Sequence, residues 1–320
     1  MSDLLTGRVM SLSSGFYEVR LEDGREIVCH PRGRLKRRRQ DTIREDIIAM
    51  GDLVKVSLQQ DGTGSIEAVE ERKRALIRSA PTARGDYKQV FLANPDQIVL
   101  VFSVSQPEPR LRMLDRFLVI CEQQQIPVVI AANKVDLIGE DKARQLFSVY
   151  DDLGYPVLYT SATEEKSIDA LRDALTGKLS GLVGPSGVGK SSLLNAVQPK
   201  LGLAVSHVSE STSKGRHTTV VRRLFPLDQG GFVADLPGIR MLSLWDIEPE
   251  ELDGYFPELS ELVADCQFSD CTHVDEPGCA VKEAVEEGSV SPQRYESYLR
   301  MRYGETEDWL DERFGGEEIS

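Results

Sequence analysis

The sequence is poor in cysteine: five in 320 residues, an odd number that offers no disulfide framework. It contains no apolar run near the eighteen or so residues that a membrane helix needs. The opening residues, MSDLLTGRVMSL, lack a basic stretch followed by an apolar core and a small-residue cleavage site. A secretory signal is therefore not expected, and the cytoplasm is the expected compartment. Most of the chain also lacks an excess of either charge. Residues 1–80 carry a net +2 and residues 81–240 a net +1, whereas 241–320 hold 5 Lys/Arg against 22 Asp/Glu. The overall −14 is thus a property of one end, and it does not exclude a nucleic-acid partner, which only a local footprint can decide.

What is present begins with short β-rich runs. GRVMSL, FYEVRL, REIVCH, DLVKVSL and SIEAVEE are separated by the turn signals SSG, EDG and DGTG. Five strands over residues 6–75 predict a small closed barrel of the OB type. Between the third and fourth lies a run of one sign, Arg32, Arg34, Lys36, Arg37, Arg38 and Arg39, placed to meet RNA phosphates. From Asp96 buried strand runs alternate with amphipathic helices, which predicts a parallel α/β sheet. Residues 202–218 read as a Ser/Thr/Gly-rich loop, followed by the strands VVRRLFPL and GFVADLPG. Beyond Leu242 the pattern is acidic and helical, interrupted by a Cys/His cluster. The expected division is 1–80, a barrel; 81–242, an α/β nucleotide domain; and 243–320, an α-helical metal-binding domain.

The segment Gly184-Pro185-Ser186-Gly187-Val188-Gly189-Lys190-Ser191 fits G-x-x-x-x-G-K-[ST] between a strand and a helix. Glycines let backbone N–H groups close around phosphates, and the helix N-terminus adds positive charge. Gly184, Ser186, Gly187, Val188, Gly189, Lys190, Ser191 and Ser192 are the expected phosphate-binding residues. Lys190 reaches the β- and γ-phosphates, and the Ser191 hydroxyl ligates Mg²⁺. Asn133-Lys134-Val135-Asp136 ends another strand. A carboxylate at Asp136 can accept from guanine N1–H and the N2 amino group, and adenine has neither donor. Ser161 and Ala162, in Thr160-Ser161-Ala162, end the next strand and can offer an N–H to guanine O6. Asp235-Leu236-Pro237-Gly238 ends a fourth: Asp235 suits the Mg²⁺ water shell and the Gly238 N–H suits the γ-phosphate. The expected ligand is GTP or GDP with Mg²⁺. Guanine-site motifs precede the P-loop here, the reverse of the ordinary GTPase order, so the domain is expected to be circularly permuted.

Permuted order, preceding barrel and following Cys/His cluster together resemble the ribosome small-subunit-dependent GTPase A (RsgA) family over nearly the whole chain. The resemblance implies a GTPase that binds the small (30S) ribosomal subunit and its rRNA late in maturation, with turnover stimulated there. It implies that Gly215-Arg216-His217-Thr218-Thr219 belongs to switch I, with Thr219, or its neighbour Thr218, on Mg²⁺. The residue after DLPG is Ile239, which cannot orient water as a glutamine does in many GTPases. His217 is therefore the expected water-positioning residue, completing a catalytic set with Lys190 and Thr219. Gly187 stands where some potassium-dependent relatives carry asparagine. Cys266, Cys271, His273 and Cys279 supply four zinc-type ligands with no open position, a structural Zn²⁺ site in donor number and type. Cys29 is expected as a small buried residue and His30 as a surface one. A monomer is expected. The alternatives are an RNA chaperone with a regulatory nucleotide site, against which the intact P-loop argues, and a nucleotide kinase, which needs no guanine-reading aspartate.

Overall fold

The computed structural model describes residues 4–13, 15–33, 45–82, 85–203, 223–236 and 247–304. Five strands close a barrel: β1 (Leu5–Ser13), β2 (Phe16–Leu21), β3 (Glu26–Pro31), β4 (Leu53–Leu58) and β5 (Gly64–Val69), in the order β1-β2-β3-β5-β4. Period-two alternation puts Val9, Val19, Leu21, Cys29, Val54, Val56 and Ile66 inside. Gly64 is required where β3 and β5 meet, because a Cβ there would lie 2.5 Å from Cys29 Sγ. Of the basic run only Arg32 lies within the described residues.

A long hairpin, β6 (Ala75–Thr82) and β7 (Gly85–Ala93), follows the barrel. The sequence reading did not anticipate it, and it carries the chain across the expected division at residue 80. The Gln124 amide exchanges two hydrogen bonds with the Ile77 backbone, at 2.9 and 3.3 Å. On the barrel side, Asp46 accepts from the Val90 N–H at 3.0 Å and from the Tyr87 hydroxyl.

The central sheet contains β8 (Gln97–Ser103), β9 (Val128–Asn133), β10 (Val157–Thr160), β11 (Leu179–Val183), β12 (Leu224–Pro226) and β13 (Phe232–Asp235). Its order is β10-β9-β8-β11-β13-β12, parallel except for β12 against β13. Every residue of β8, β9 and β11 is buried, because helices cover both faces. Helices α1 (Leu111–Gln123) and α2 (Glu140–Asp152) pack on Ile98, Leu100, Phe102 and Ile130. Helices α3 (Ile168–Leu175) and α4 (Lys190–Val197) pack on Val99, Val101, Ala131 and Leu182. Chain order reverses between β8 and β11, where sheets of this kind open a ligand crevice at the carboxyl ends of their strands. The barrel sits against the β12–β13 edge. Arg8 and Arg20 lie over the Phe232 ring at 5.6 and 6.0 Å, and Arg223 pairs with Glu26 at 3.4 Å.

The C-terminal region is helical, with α5 (Pro257–Ser260), α6 (Ala280–Glu287) and α7 (Pro292–Tyr303) around Leu252, Phe256, Leu259, Tyr298 and Leu299. Val119 of α1 completes that core. A buried ion network fixes the contact. Arg294 of α7, fully buried, donates to Asp115 of α1 at 2.8 Å and to both oxygens of Glu258 at 2.6 and 3.2 Å. Asp115 also accepts from Tyr150 of α2 at 2.9 Å and from Ser297 of α7. Burial works against the guanidinium charge, but the two carboxylates more than offset it, so Arg294 stays cationic. Arg294→Ala strips the countercharge from a buried carboxylate and should cost about 3–5 kcal/mol. Urea unfolding checks this. Adding Asp115→Asn, which removes the stranded charge, should recover part of the loss.

Candidate functional site

The P-loop joins β11 to α4 at the carboxyl end of the sheet. Two of its glycines are forced by close approach. A Cβ on Gly184 would lie 2.0 Å from the Val101 carbonyl oxygen, and one on Gly189, at φ +96°, would lie 2.4 Å from Asn133 Nδ2. Lys190 Nζ folds back to donate to the Gly184 and Pro185 carbonyls at 2.9 and 2.8 Å. Its ammonium is thereby held over the loop. Ser191, in the first turn of α4, lies beside the Asp235 side chain at the end of β13. Burial pushes the Asp235 carboxyl above its ordinary range, against the pull of Lys190 and Ser191. Asp235 Oδ1 is buried and has no hydrogen-bond partner among the described residues. An orphaned carboxylate oxygen beside a serine hydroxyl is a donor set that suits a hard divalent cation such as Mg²⁺.

The Asn133 side chain braces this crevice. Its Nδ2 donates to the Val188 carbonyl of the P-loop at 2.8 Å, and its Oδ1 accepts from Thr160 Oγ1 at 3.1 Å. Lys134 takes the left-handed conformation, φ +67°, and its ammonium reaches the Gln106 carbonyl in the loop before α1. Asp136 is half-buried and accepts from Ser161 Oγ at 2.6 Å, while Ser161 Oγ itself accepts from the Glu164 N–H at 3.1 Å. The carboxylate is thus oriented before any ligand arrives. Asn133, Lys134, Asp136, Ser161, Ala162, the P-loop residues with Ser192, and Asp235 therefore all sit at one sheet edge. His217, Thr218, Thr219, Gly238 and Ile239 lie outside the described residues.

Cys266, Cys271, His273 and Cys279 converge separately, with ligand atoms all within 4.8 Å of one another. Cys266 Sγ is 3.6 Å from His273 Nδ1 and 4.0 Å from Cys279 Sγ, and His273 Nδ1 is 3.4 Å from Cys279 Sγ. Bonds of about 2.3 Å to sulfur and 2.0 Å to nitrogen give tetrahedral edges of roughly 3.4–3.8 Å, so the cluster is consistent with zinc. Burial pushes the Cys271 thiol up to about 12 without a cation, so thiolate ligation there calls for one. Sequence reasoning missed Asp253, whose Oδ2 lies 3.1 Å from His273 Nε2. A carboxylate on the far ring nitrogen fixes the tautomer that leaves Nδ1 free to ligate.

A P-loop, a guanine-type Asn-Lys-x-Asp turn and a Ser-Ala turn, gathered on a sheet whose chain order is permuted, define a circularly permuted GTPase. A family profile described as RsgA GTPase matches residues 69–245, and one described as RsgA N-terminal domain matches 6–66. The small ribosomal subunit biogenesis GTPase RsgA of Gemmatimonas aurantiaca is 43% identical over 94% of this chain and 98% of that protein. The protein of the same description from Thermotoga maritima is 42% identical over 93% and 95%. The crystal structure of YjeQ from Thermotoga maritima superposes with a TM-score of 0.77, at 40% identity over 94% of this chain and 98% of that one. YloQ, described as a circularly permuted GTPase, gives 0.72 at 32% identity over 97% and 96%. The chain belongs to the RsgA family of GTPases.

Removing the Asp253 carboxylate should loosen the metal without touching a ligand. Asp253→Ala should lower zinc affinity by about 10–100-fold, the usual scale for such outer partners. Competition with a chromogenic chelator reads it.

Proposed function

We propose that this protein hydrolyses GTP on the small (30S) ribosomal subunit during its late assembly, with turnover raised by that subunit, and that it works as a monomer in the cytoplasm. The observation that carries the reading is the Asn133 brace, which joins phosphate loop and base-reading turn into one guanine-nucleotide crevice. The small subunit enters through the printed function of relatives about 40% identical over nearly the full length.

In this reading Asp136 and the Ser161–Ala162 turn select guanine. Backbone N–H groups of Gly184 to Ser192 hold the phosphates, and Lys190 offsets the charge that develops on the transferring γ-phosphoryl. Ser191, Asp235 and Thr219 hold magnesium, which supplies Lewis-acid charge at the phosphate oxygens. The orphaned Asp235 Oδ1 supports that assignment. Gly238 meets the γ-phosphate, and His217 orients the attacking water. The zinc held by Cys266, Cys271, His273 and Cys279 is structural, since all four positions are filled by protein. The barrel and its run from Arg32 to Arg39 meet rRNA, with hairpin β6–β7 spanning the barrel and GTPase units.

The test is hydrolysis of GTP and of ATP, each with and without purified small and large subunits. GTP-specific turnover raised only by small subunits is expected, and a rate indifferent to them would defeat the proposal. Asp136→Asn should exchange preference toward xanthine nucleotides, read by competition binding; undiminished GTP affinity would remove Asp136 from the base site. His217→Ala should lower subunit-stimulated kcat by about 10²-fold with GTP and subunit binding retained, measured in single turnovers.

A further inference from the structure

The barrel exposes aromatic surface where folding has no use for it. On the outward face of β2 and β3, Glu18, Arg20 and Glu26 meet Arg223 and Phe232 at the GTPase sheet edge, while Phe16, Val28 and His30 remain exposed. Phe16 is 47% exposed and Val28 44%, two of the six large hydrophobics left open among the described residues. The register that pairs Tyr17 with Cys29 sets Phe16 opposite His30. Their rings meet edge-on, centroids 4.6 Å apart and planes 61° apart, and both residues are exposed. One residue past β3, Arg32 has a side chain 59% exposed yet is anchored by an ion pair to Glu67, whose other oxygen takes the Ser57 hydroxyl at 2.8 Å. Strands two and three, bounded by the β1–β2 and β4–β5 connections, are the face on which barrels of this topology hold oligonucleotides. The β4–β5 connection lies close by, since Gly64 at its end pairs with Cys29.

We propose that Phe16 and His30 form a stacking platform for one unpaired RNA base, with Arg32 placed for the phosphate beside it. This rests on the small-subunit reading above and deepens it. A base needs a π-face on which to lie and a cation for its backbone, and this patch offers both within one turn of strand. Charge complementarity favours RNA over a protein partner: residues 1–80 are net positive and Arg32 opens the basic run, whereas residues 241–320 carry −17.

Three variants, Phe16→Leu, Phe16→Tyr and Arg32→Ala, are titrated against purified small subunits at several KCl concentrations. Phe16 is exposed, so none of these changes opens the core. Phe16→Leu should weaken binding roughly 5- to 30-fold with an unchanged salt slope, because stacking is lost and no phosphate contact is. Phe16→Tyr should bind within about twofold of wild type, since it keeps the ring face. Arg32→Ala should flatten the slope by about one phosphate contact. Intrinsic GTP turnover should be the same in all. Leucine serving as well as phenylalanine would mean an apolar protein contact and overturns the platform; equal losses in leucine and tyrosine would mean shape alone and overturn it too. If wild-type protein binds no subunits, the functional reading falls. The platform is then judged on single-stranded oligouridylate with the same proteins, where it stands or falls on the leucine–tyrosine difference.

Discussion

Two hydrogen bonds from one amide hold the nucleotide crevice together. Asn133 stands at the end of β9, while the P-loop it grips at Val188 lies across β8 and far along the chain. Permutation has put the base-reading turn before the phosphate loop, so no short connection keeps them in register. The brace is buried, where an unmade bond would strand a polar group at a cost of about 1–3 kcal/mol. That is why Gly189 admits no side chain: its Cβ would occupy the place of the amide. The fully buried strands β8, β9 and β11 serve the same end, giving the amide and the loop a rigid floor.

Legibility in the sequence followed locality. The P-loop, NKVD, TSA and DLPG strings are contiguous, and each ends a run of buried residues, so both their chemistry and their shared sheet edge could be read. The three-part architecture was legible for the same reason. Hairpin β6–β7 was not, because Pro81 and the charged residues around it imitate a linker, and what holds the hairpin is distant: Gln124 on α1 and Asp46 in the segment before β4. Asp253 was illegible for a different reason. It is one carboxylate among many in an acidic region, and only folding brings it to His273. Arg294 is one charge in a helical segment, and only the fold sets it against Asp115, 179 residues away.

The two flanking units meet the GTPase domain in different ways. The barrel leans on an edge through Arg8, Arg20 and Arg223, over a ring and at part-exposed ion pairs, and buries Met10 and Met50 in the apolar core beneath the sheet. Exposed pairs of this sort contribute little and respond to salt. The zinc-cluster region is held instead by apolar packing on α1 and by a buried cation between two carboxylates. The second contact resists displacement of one member without the others.

That second contact also has a place in time. Asp115 and Arg294 are 179 residues apart. A nascent chain grows at about 5–20 residues per second, so Asp115 waits on the order of ten seconds or more for its partner. Until then the outer side of α1 is wet, and Asp115 is an ordinary solvated carboxylate. A chain that has emerged only as far as the GTPase sheet has no α7, so at that stage Asp115 has no Arg294 to face it.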